Sequence, residues 1–346
     1  KFVNLTMLAS ILFALVVSLV FGRNASVIGH KLDVLDFPDT DGGRKRHELV
    51  TPMVGGTAIV LSSLFSTFAV YWFGEGIGPS LQQTLLGFAA AVFLMFAIGF
   101  ADDRFGLSPA LRLVLSSVVL LLTVMSVPDF NLSMLRFSGQ QGVWLVGAGG
   151  AAFVLLCLVG LLNAVNMADG KDGIVISMGL VWTVVLAFHL PQPMLPILAA
   201  TGVALAVMLW FNMRQHLFVG DAGSYAISTQ FGLLAIYAYN HDFAVMRADD
   251  VAVMFAIPVY DTIRLMVARK LAGRSMFEAD RDHLHHHLHR SFGWPRGLFI
   301  YVAMVAIPNI LALAMPGTGL IWLVAAAFVY GFVLWITRYT APRFAE

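Results

Sequence analysis

Apolar runs long enough to cross a bilayer constrain this chain more than any other feature. One runs uncharged from Leu85 to Phe100, another from Leu5 to Gly22, and similar stretches recur almost to the C-terminus. A helix spanning the hydrocarbon core needs about 20 apolar residues. The sequence predicts eleven such spans: 4–22, 53–73, 82–100, 109–127, 143–163, 173–190, 193–210, 222–240, 250–268, 298–315 and 318–337. The pair flanking Pro191-Gln192-Pro193 predicts a tight helical hairpin, and the span from 222 opens on small and polar residues. The expected fold class is therefore all-α: a polytopic integral membrane protein with about 11 transmembrane helices, forming a single membrane-embedded domain over residues 1–346. Composition agrees, since only 12% of residues are charged and 59% are hydrophobic, against about 25% charged in soluble domains. The single Cys, Cys157, excludes a disulfide framework.

Charge sets the orientation. Alternating loops fall on two sides, and one side holds loops 23–52, 101–108, 164–172, 211–221, 269–297 and the C-terminus. Of the 21 Lys and Arg, all but Lys1, Arg136 and Arg247 lie on that side. The positive-inside rule assigns it to the cytoplasm. The N-terminus is then outside and the C-terminus cytoplasmic. No internal inverted repeat, the usual mark of a secondary transporter, is visible. Trp72, Trp182 and Trp322 read as interfacial anchors.

The chemistry-bearing motifs all fall on the basic side. Asp102-Asp103 follow the Leu85–Phe100 run, although adjacent carboxylates at a bilayer edge repel one another and are costly to desolvate. Gly43-Arg-Lys45-Arg-His47 precedes Pro52 and Gly55-Gly56, and cations beside helix N-terminal amides suit a phosphate. Asn163-Ala-Val-Asn166-Met-Ala-Asp169-Gly-Lys-Asp172-Gly173 offers hard oxygen ligands in a tight turn. Asp221 stands at an expected helix N-cap, with Phe218 and Asn212 shortly before it. Five of the ten His lie between His283 and His289, close to Arg281. With no Cys nearby, this run suits diphosphate better than zinc. Read singly, each motif also has a plain structural reading: a solvated turn, a lipid-facing cationic anchor, a capped loop or an ordinary N-cap.

In combination the motifs resemble the polyprenyl-phosphate N-acetylhexosamine-1-phosphate transferase family, whose members move a sugar 1-phosphate from a UDP-sugar to a membrane polyprenyl phosphate. The matching elements are Lys45-x-His47 with Pro52 and Gly55-Gly56, Asp102-Asp103, Asn163 through Gly173, Phe218-x-Gly220-Asp221-x-Gly223-Ser224, and the His cluster. They occur in the family's order across about residues 31–290. Asp102-Asp-Arg-Phe-Gly-Leu-Ser-Pro109 and Asp280-Arg-Asp-His-Leu-His-His286 look like the WecA type, which uses UDP-N-acetylglucosamine. The MraY type, which transfers phospho-MurNAc-pentapeptide, carries a Glu where His289 stands. Val50 replaces a frequent Pro, and Arg112 replaces a frequent Lys, which keeps the cation but changes its geometry.

The resemblance implies roles. Asn166 and Asp221 would bind Mg²⁺, with Mn²⁺ as a substitute. Asp102 and Asp103 would lie at the polyprenyl-phosphate side, and Asp169 and Asp172 would shape the sugar-nucleotide site. Phe218 would stack on uracil with Asn212 nearby. Arg281, His283, His285 and His286 would hold diphosphate and sugar, and Lys45 and His47 would bind substrate phosphate. The reaction implied transfers N-acetylglucosamine 1-phosphate from UDP-N-acetylglucosamine to undecaprenyl phosphate, releasing UMP and starting O-antigen or a related glycan. The partners implied are these substrates, the lipid bilayer and a second copy in a homodimer, with no nucleic acid. The place implied is the bacterial inner membrane, with the site facing the cytoplasm. A transporter of an anionic metabolite is the competing class, and it would need paired ionisable residues near mid-membrane on several spans.

Overall fold

The computed structural model describes residues 5–38, 50–275 and 282–339. Thirteen helices dominate them. In chain order these are α1 (Leu5–Arg23), α2 (Ala25–Leu32), α3 (Gly55–Phe73), α4 (Pro79–Phe105), α5 (Pro109–Ser126), α6 (Gly150–Ala168), α7 (Ile174–Ala187), α8 (Leu195–Asn212), α9 (Gly220–His241), α10 (Ala248–Leu271), α11 (Leu284–Phe292), α12 (Arg296–Ala314) and α13 (Gly319–Tyr339). The only strands among the described residues are two-residue staples. β1 (Leu35–Asp36) pairs antiparallel with β2 (Thr51–Pro52), and β3 (Met134–Leu135) with β4 (Trp144–Leu145). The protein is an all-α polytopic membrane protein.

Nine of the described helices, α1, α3, α4, α5, α6, α8, α10, α12 and α13, are long and apolar enough to cross a membrane. The other two expected spans are α7, with 14 residues, and α9, with 22. Lipid does not touch α9. Every residue from Ala222 to Tyr239 is buried, because α3, α4, α6 and α7 pack around it. A helix enclosed by other helices has no need of an apolar exterior, so its small and polar sequence is the signature of a central position.

Apolar contact gains little over lipid within a bilayer, so close approach and hydrogen bonds hold the bundle together. A Cβ on Gly56 would lie 2.2 Å from the Gly223 Cα, so α3 and α9 meet through their glycines. A Cβ on Gly99 would lie 2.3 Å from the Asp221 carbonyl oxygen, which presses α4 against the start of α9. Ser66 Oγ donates to Ser10 Oγ at 2.9 Å between α3 and α1, and Gln230 Nε2 donates to Thr201 Oγ1 at 2.6 Å between α9 and α8. The expected hairpin forms: α7 turns through Gln192–Met194 and packs along α8.

One sequence reading changes. Trp182 is no interfacial anchor, for it is 0% exposed and packs edge-on against Phe231 and Phe255. Its Nε1 donates to the Met254 carbonyl at 2.7 Å, which satisfies the indole far from any headgroup. One span carries paired charge. Asp261 and Arg264 stand within α10, their closest atoms 3.0 Å apart.

Candidate active site

The ends of α4, α6 and α8 and the starts of α3 and α9 converge, and most of the motifs converge with them. α4 continues beyond the expected end at 100 to Phe105, so Asp102 and Asp103 occupy its last turn. Gly106 then adopts φ +63°, which reverses the chain. Ser108 caps α5 by accepting the Leu111 N–H at 3.3 Å, with Pro109 at the first helical position. This tight reversal brings Arg112 back over α4. Its Nη1 lies 2.5 Å from Asp102 Oδ2 and 3.5 Å from Asp221 Oδ2. The other oxygen of Asp102 accepts the Leu107 N–H at 2.8 Å, and the residue is 7% exposed.

The two neighbouring aspartates therefore do different work. Asp103 accepts the backbone N–H groups of Asp221 and Ala222 at 2.8 and 2.9 Å. It supplies the side-chain cap at the α9 N-terminus. Asp221 is not the N-cap expected from sequence but lies just inside the helix, after Gly220. Gly220 has φ +73°, and a Cβ there would sit 2.6 Å from Asp103 Oδ2, so only glycine admits this cap. The Asp221 side chain is thereby free of capping duty. Its Oδ1 accepts from Asn166 Nδ2 at 2.6 Å, and Asn166 also reaches Ser224 Oγ at 3.1 Å.

Asp169 follows the last turn of α6 and is half-buried. Burial, followed by the charges of Asp221 and Asp172, pushes its carboxyl up to about 8. Burial, then hydrogen bonding to Asp102 and the charges of Asp103 and Asp102, likewise raises Asp221 well above the usual carboxylate range. Four carboxylates, Asp102, Asp103, Asp169 and Asp221, thus crowd one another, and the guanidinium of Arg112 faces two of them, Asp102 and Asp221.

This excess of negative charge is what a divalent cation would neutralise. Among the described residues no three His, Cys, Asp or Glu groups form a ready-made metal cage. Asp221 and Asn166 do stand side by side, and rotating the Asn166 amide would turn its oxygen toward the carboxylate's side. One carboxylate and one amide oxygen suit Mg²⁺, which keeps several waters and takes further ligands from substrate phosphates.

The other expected site residues divide. Asp172 is half-buried beside this cluster, its carbonyl accepting from Trp294 Nε1 at 3.1 Å. Asn212 is buried and engaged as a brace: Oδ1 accepts the Gly173 N–H at 2.6 Å and Nδ2 donates to the Leu217 carbonyl at 2.9 Å. It shapes the turn at 173 rather than presenting an amide to a ligand. Phe218 is half-buried, and its backbone locks the loop to α3, donating to the Pro52 carbonyl and accepting from the Gly55 N–H, each at 2.9 Å. Lys45, His47 and Arg281 lie outside the described residues.

His283 precedes α11 and His285, His286, His287 and His289 lie on it, and the cluster reaches the same place. His285 is 2% exposed, and a Cβ on Gly170 would lie 2.3 Å from its Nε2, so its ring rests on the 169–173 turn. His283 is parallel to it at 5.5 Å between ring centroids, and His286 is tilted at 4.3 Å. Burial, then the neighbouring His286 and His283, holds His285 well below the ordinary imidazole range, so it is neutral at pH 7. Sequence reasoning left Arg112 without a role and missed Asp261, Arg264 and Asp282, which hold α11 in place. Paired charges within the apolar span 250–268 were the available signal.

The profile of glycosyl transferase family 4 matches residues 85–239, the segment from α4 to α9 that carries the aspartate cluster. An undecaprenyl-phosphate alpha-N-acetylglucosaminyl 1-phosphate transferase of Yersinia pestis is 26% identical, aligned over 96% of this chain and 91% of its own. The protein of the same name from Escherichia coli K12 is 28% identical over 87% of this chain and 80% of its own. A probable undecaprenyl-phosphate N-acetylglucosaminyl 1-phosphate transferase of Bacillus subtilis is 23% identical over 85% and 79%. With its aspartate cluster inside the matched segment and similarity to these transferases along nearly its whole length, the chain resembles glycosyl transferase family 4.

Proposed function

We propose that this protein transfers N-acetylglucosamine 1-phosphate from UDP-N-acetylglucosamine to undecaprenyl phosphate, releasing UMP and opening the assembly of O-antigen or a related envelope glycan. The names of its relatives support the substrate class. The observation that carries the reading is the Arg112 bridge from Asp102 to Asp221, which joins the end of α4 to the start of α9 in one acidic cluster that also bears a cation. The distribution of Lys and Arg supports a site on the cytoplasmic side of the membrane, and the reading places the enzyme in the inner membrane.

Transfer exchanges one phosphoanhydride for another. An acceptor phosphate oxygen forms a bond to the donor's β-phosphorus while the bond from that phosphorus to the bridging oxygen breaks, and UMP leaves with the electron pair. A phosphate monoester has its second pKa near ~6, so the acceptor is already an anionic nucleophile at neutral pH. Such a step needs alignment and charge neutralisation more than a strong base. The geometry favours direct attack. Both Asp102 oxygens are engaged, by the Leu107 N–H and by Arg112, which suits a residue that aims a guanidinium rather than one that attacks phosphorus. Arg112 would receive the acceptor phosphate, and Asp103 would hold Asp221 in register through the α9 N-terminus. Mg²⁺ held by Asp221 and Asn166 would supply neutralisation of the donor diphosphate. The His285 ring on the 169–173 turn, with His283 and His286, would border the diphosphate and sugar.

The test is UMP release by purified protein given undecaprenyl phosphate and UDP-N-acetylglucosamine. Release that requires both substrates supports the reading, and none from folded protein contradicts it.

A further inference from the structure

A carboxylate inside an apolar helix is costly unless it is matched. Asp261 in α10 is 5% exposed. Its carboxylate accepts from Tyr330 Oη at 2.8 Å, His283 Nδ1 at 2.9 Å, Arg264 Nη2 at 3.0 Å and the Leu284 N–H at 3.2 Å. Surrounded by these donors the group is ionised, and an ionised carboxylate only accepts. His283 Nδ1 therefore carries the hydrogen, which fixes the ring's tautomer and leaves Nε2 for a ligand.

The same element is gripped at a second point. Asp282 accepts from Arg264 Nη1 at 2.6 Å, His287 Nε2 at 2.7 Å and Arg338 Nη2 at 2.9 Å. Tyr330 also accepts from Arg264 Nε at 2.8 Å, so α10 and α13 share one network. The result is a rigid path from Asp261 to His283, from His283 to the parallel ring of His285, and from there to Gly170 between Asp169 and Asp172.

We propose that Asp261 is a positioning residue for donor binding: by fixing the His283 ring it sets the His283–His285 pair against the sugar-nucleotide diphosphate at the 169–173 turn. The inference rests on the transferase reading above. Asp261 lies behind the histidines and acts through His283 without touching substrate.

The experiment measures Kd for UDP-N-acetylglucosamine by calorimetry on the full-length protein in detergent with Mg²⁺, together with KM for each substrate. Asp261→Asn is expected to weaken donor binding about tenfold, as loss of a carboxylate that orients an imidazole does elsewhere. KM for undecaprenyl phosphate should stay within about twofold, because the acceptor side is built by Asp102 and Arg112. His283→Gln should show the same donor-selective loss, and the double variant should be no worse than either single one. Asp261→Glu should recover part of the affinity. If Asp261→Asn does not fold, Tyr330→Phe removes one donor from the network and should weaken donor binding by a smaller factor with the same selectivity. Donor affinity unchanged in Asp261→Asn, or equal losses for both substrates, would overturn the inference while leaving the transferase reading intact. Wild-type protein that binds no UDP-sugar would end both.

Discussion

Asp103 and Asp221 are joined backbone to side chain: the Asp221 N–H donates to Asp103 Oδ1 at 2.8 Å across 118 residues of sequence. The second acid of the Asp-Asp pair is thus a helix cap supplied from another helix. Asp103→Ala should lower stability by about 1–2 kcal/mol, the usual cost of losing an N-cap acceptor. Asp103→Asn, which keeps an acceptor oxygen, should lose less. Thermal midpoints of the detergent-solubilised variants check the order.

Asp102 has a different fate because it pairs with a side chain. Asp102→Asn should reduce turnover about 100-fold while UDP-sugar affinity is kept, since its main effect is to release Arg112 from its aim. Arg112→Lys should also lose turnover: a shorter side chain ending in a hydrated point charge does not carry its nitrogen to where Arg112 Nη1 meets both Asp102 and Asp221. Unchanged turnover in either variant would remove the bridge from the mechanism.

Gly99 lets α4 lie against the first turn of α9, where an added Cβ would meet the Asp221 carbonyl oxygen at 2.3 Å. Gly99→Ala should displace that turn, destabilise the protein by about 1–3 kcal/mol and lower activity further than the loss of folded protein explains. Gly160→Ala on α6, where a Cβ would meet nothing within 4 Å, is the matched control and should leave both unchanged. Activity per folded molecule, measured after size-exclusion chromatography, separates the two effects.

Asp169 gives a pH dependence. Its carboxyl is raised from 3.8 to about 8, by burial first and then by Asp221 and Asp172. The folded protein therefore holds this proton more tightly than the unfolded chain. The stability it contributes is complete below about 4 and is lost as pH rises to about 8. Asp169→Asn has no proton to lose. In Mg²⁺-free buffer, wild type should fall progressively below Asp169→Asn in melting temperature from pH 4 to 8, and the gap should level off above that. A constant gap would show that Asp169 is not perturbed.

Much of this arrangement is legible in the sequence, and the reasons for the rest are specific. The apolar runs locate the helices, because a bilayer demands length and hydrophobicity along one contiguous segment. The low hydropathy of α9 also carries information, for it belongs to a helix enclosed on every side. Site residues at helix ends come together because alternating spans return to the same side. What the sequence hides is pairing at a distance. Asp221 looks like an N-cap until Asp103 is seen to supply the cap. Asn212 looks like a ligand until it is seen bracing Gly173. Trp182 resembles the interfacial Trp72 in sequence, but Trp72 is 71% exposed and Trp182 is 0% exposed. Asp261 acquires meaning only when α11 and α13 fold against α10.

The most direct test of the whole account is UMP release by detergent-purified protein with undecaprenyl phosphate and a panel of UDP-sugars, with and without Mg²⁺. Release is expected only when lipid acceptor, Mg²⁺ and UDP-N-acetylglucosamine are all present. No release with any donor, from protein shown to be folded, would contradict it and make substrate uptake into proteoliposomes the next measurement.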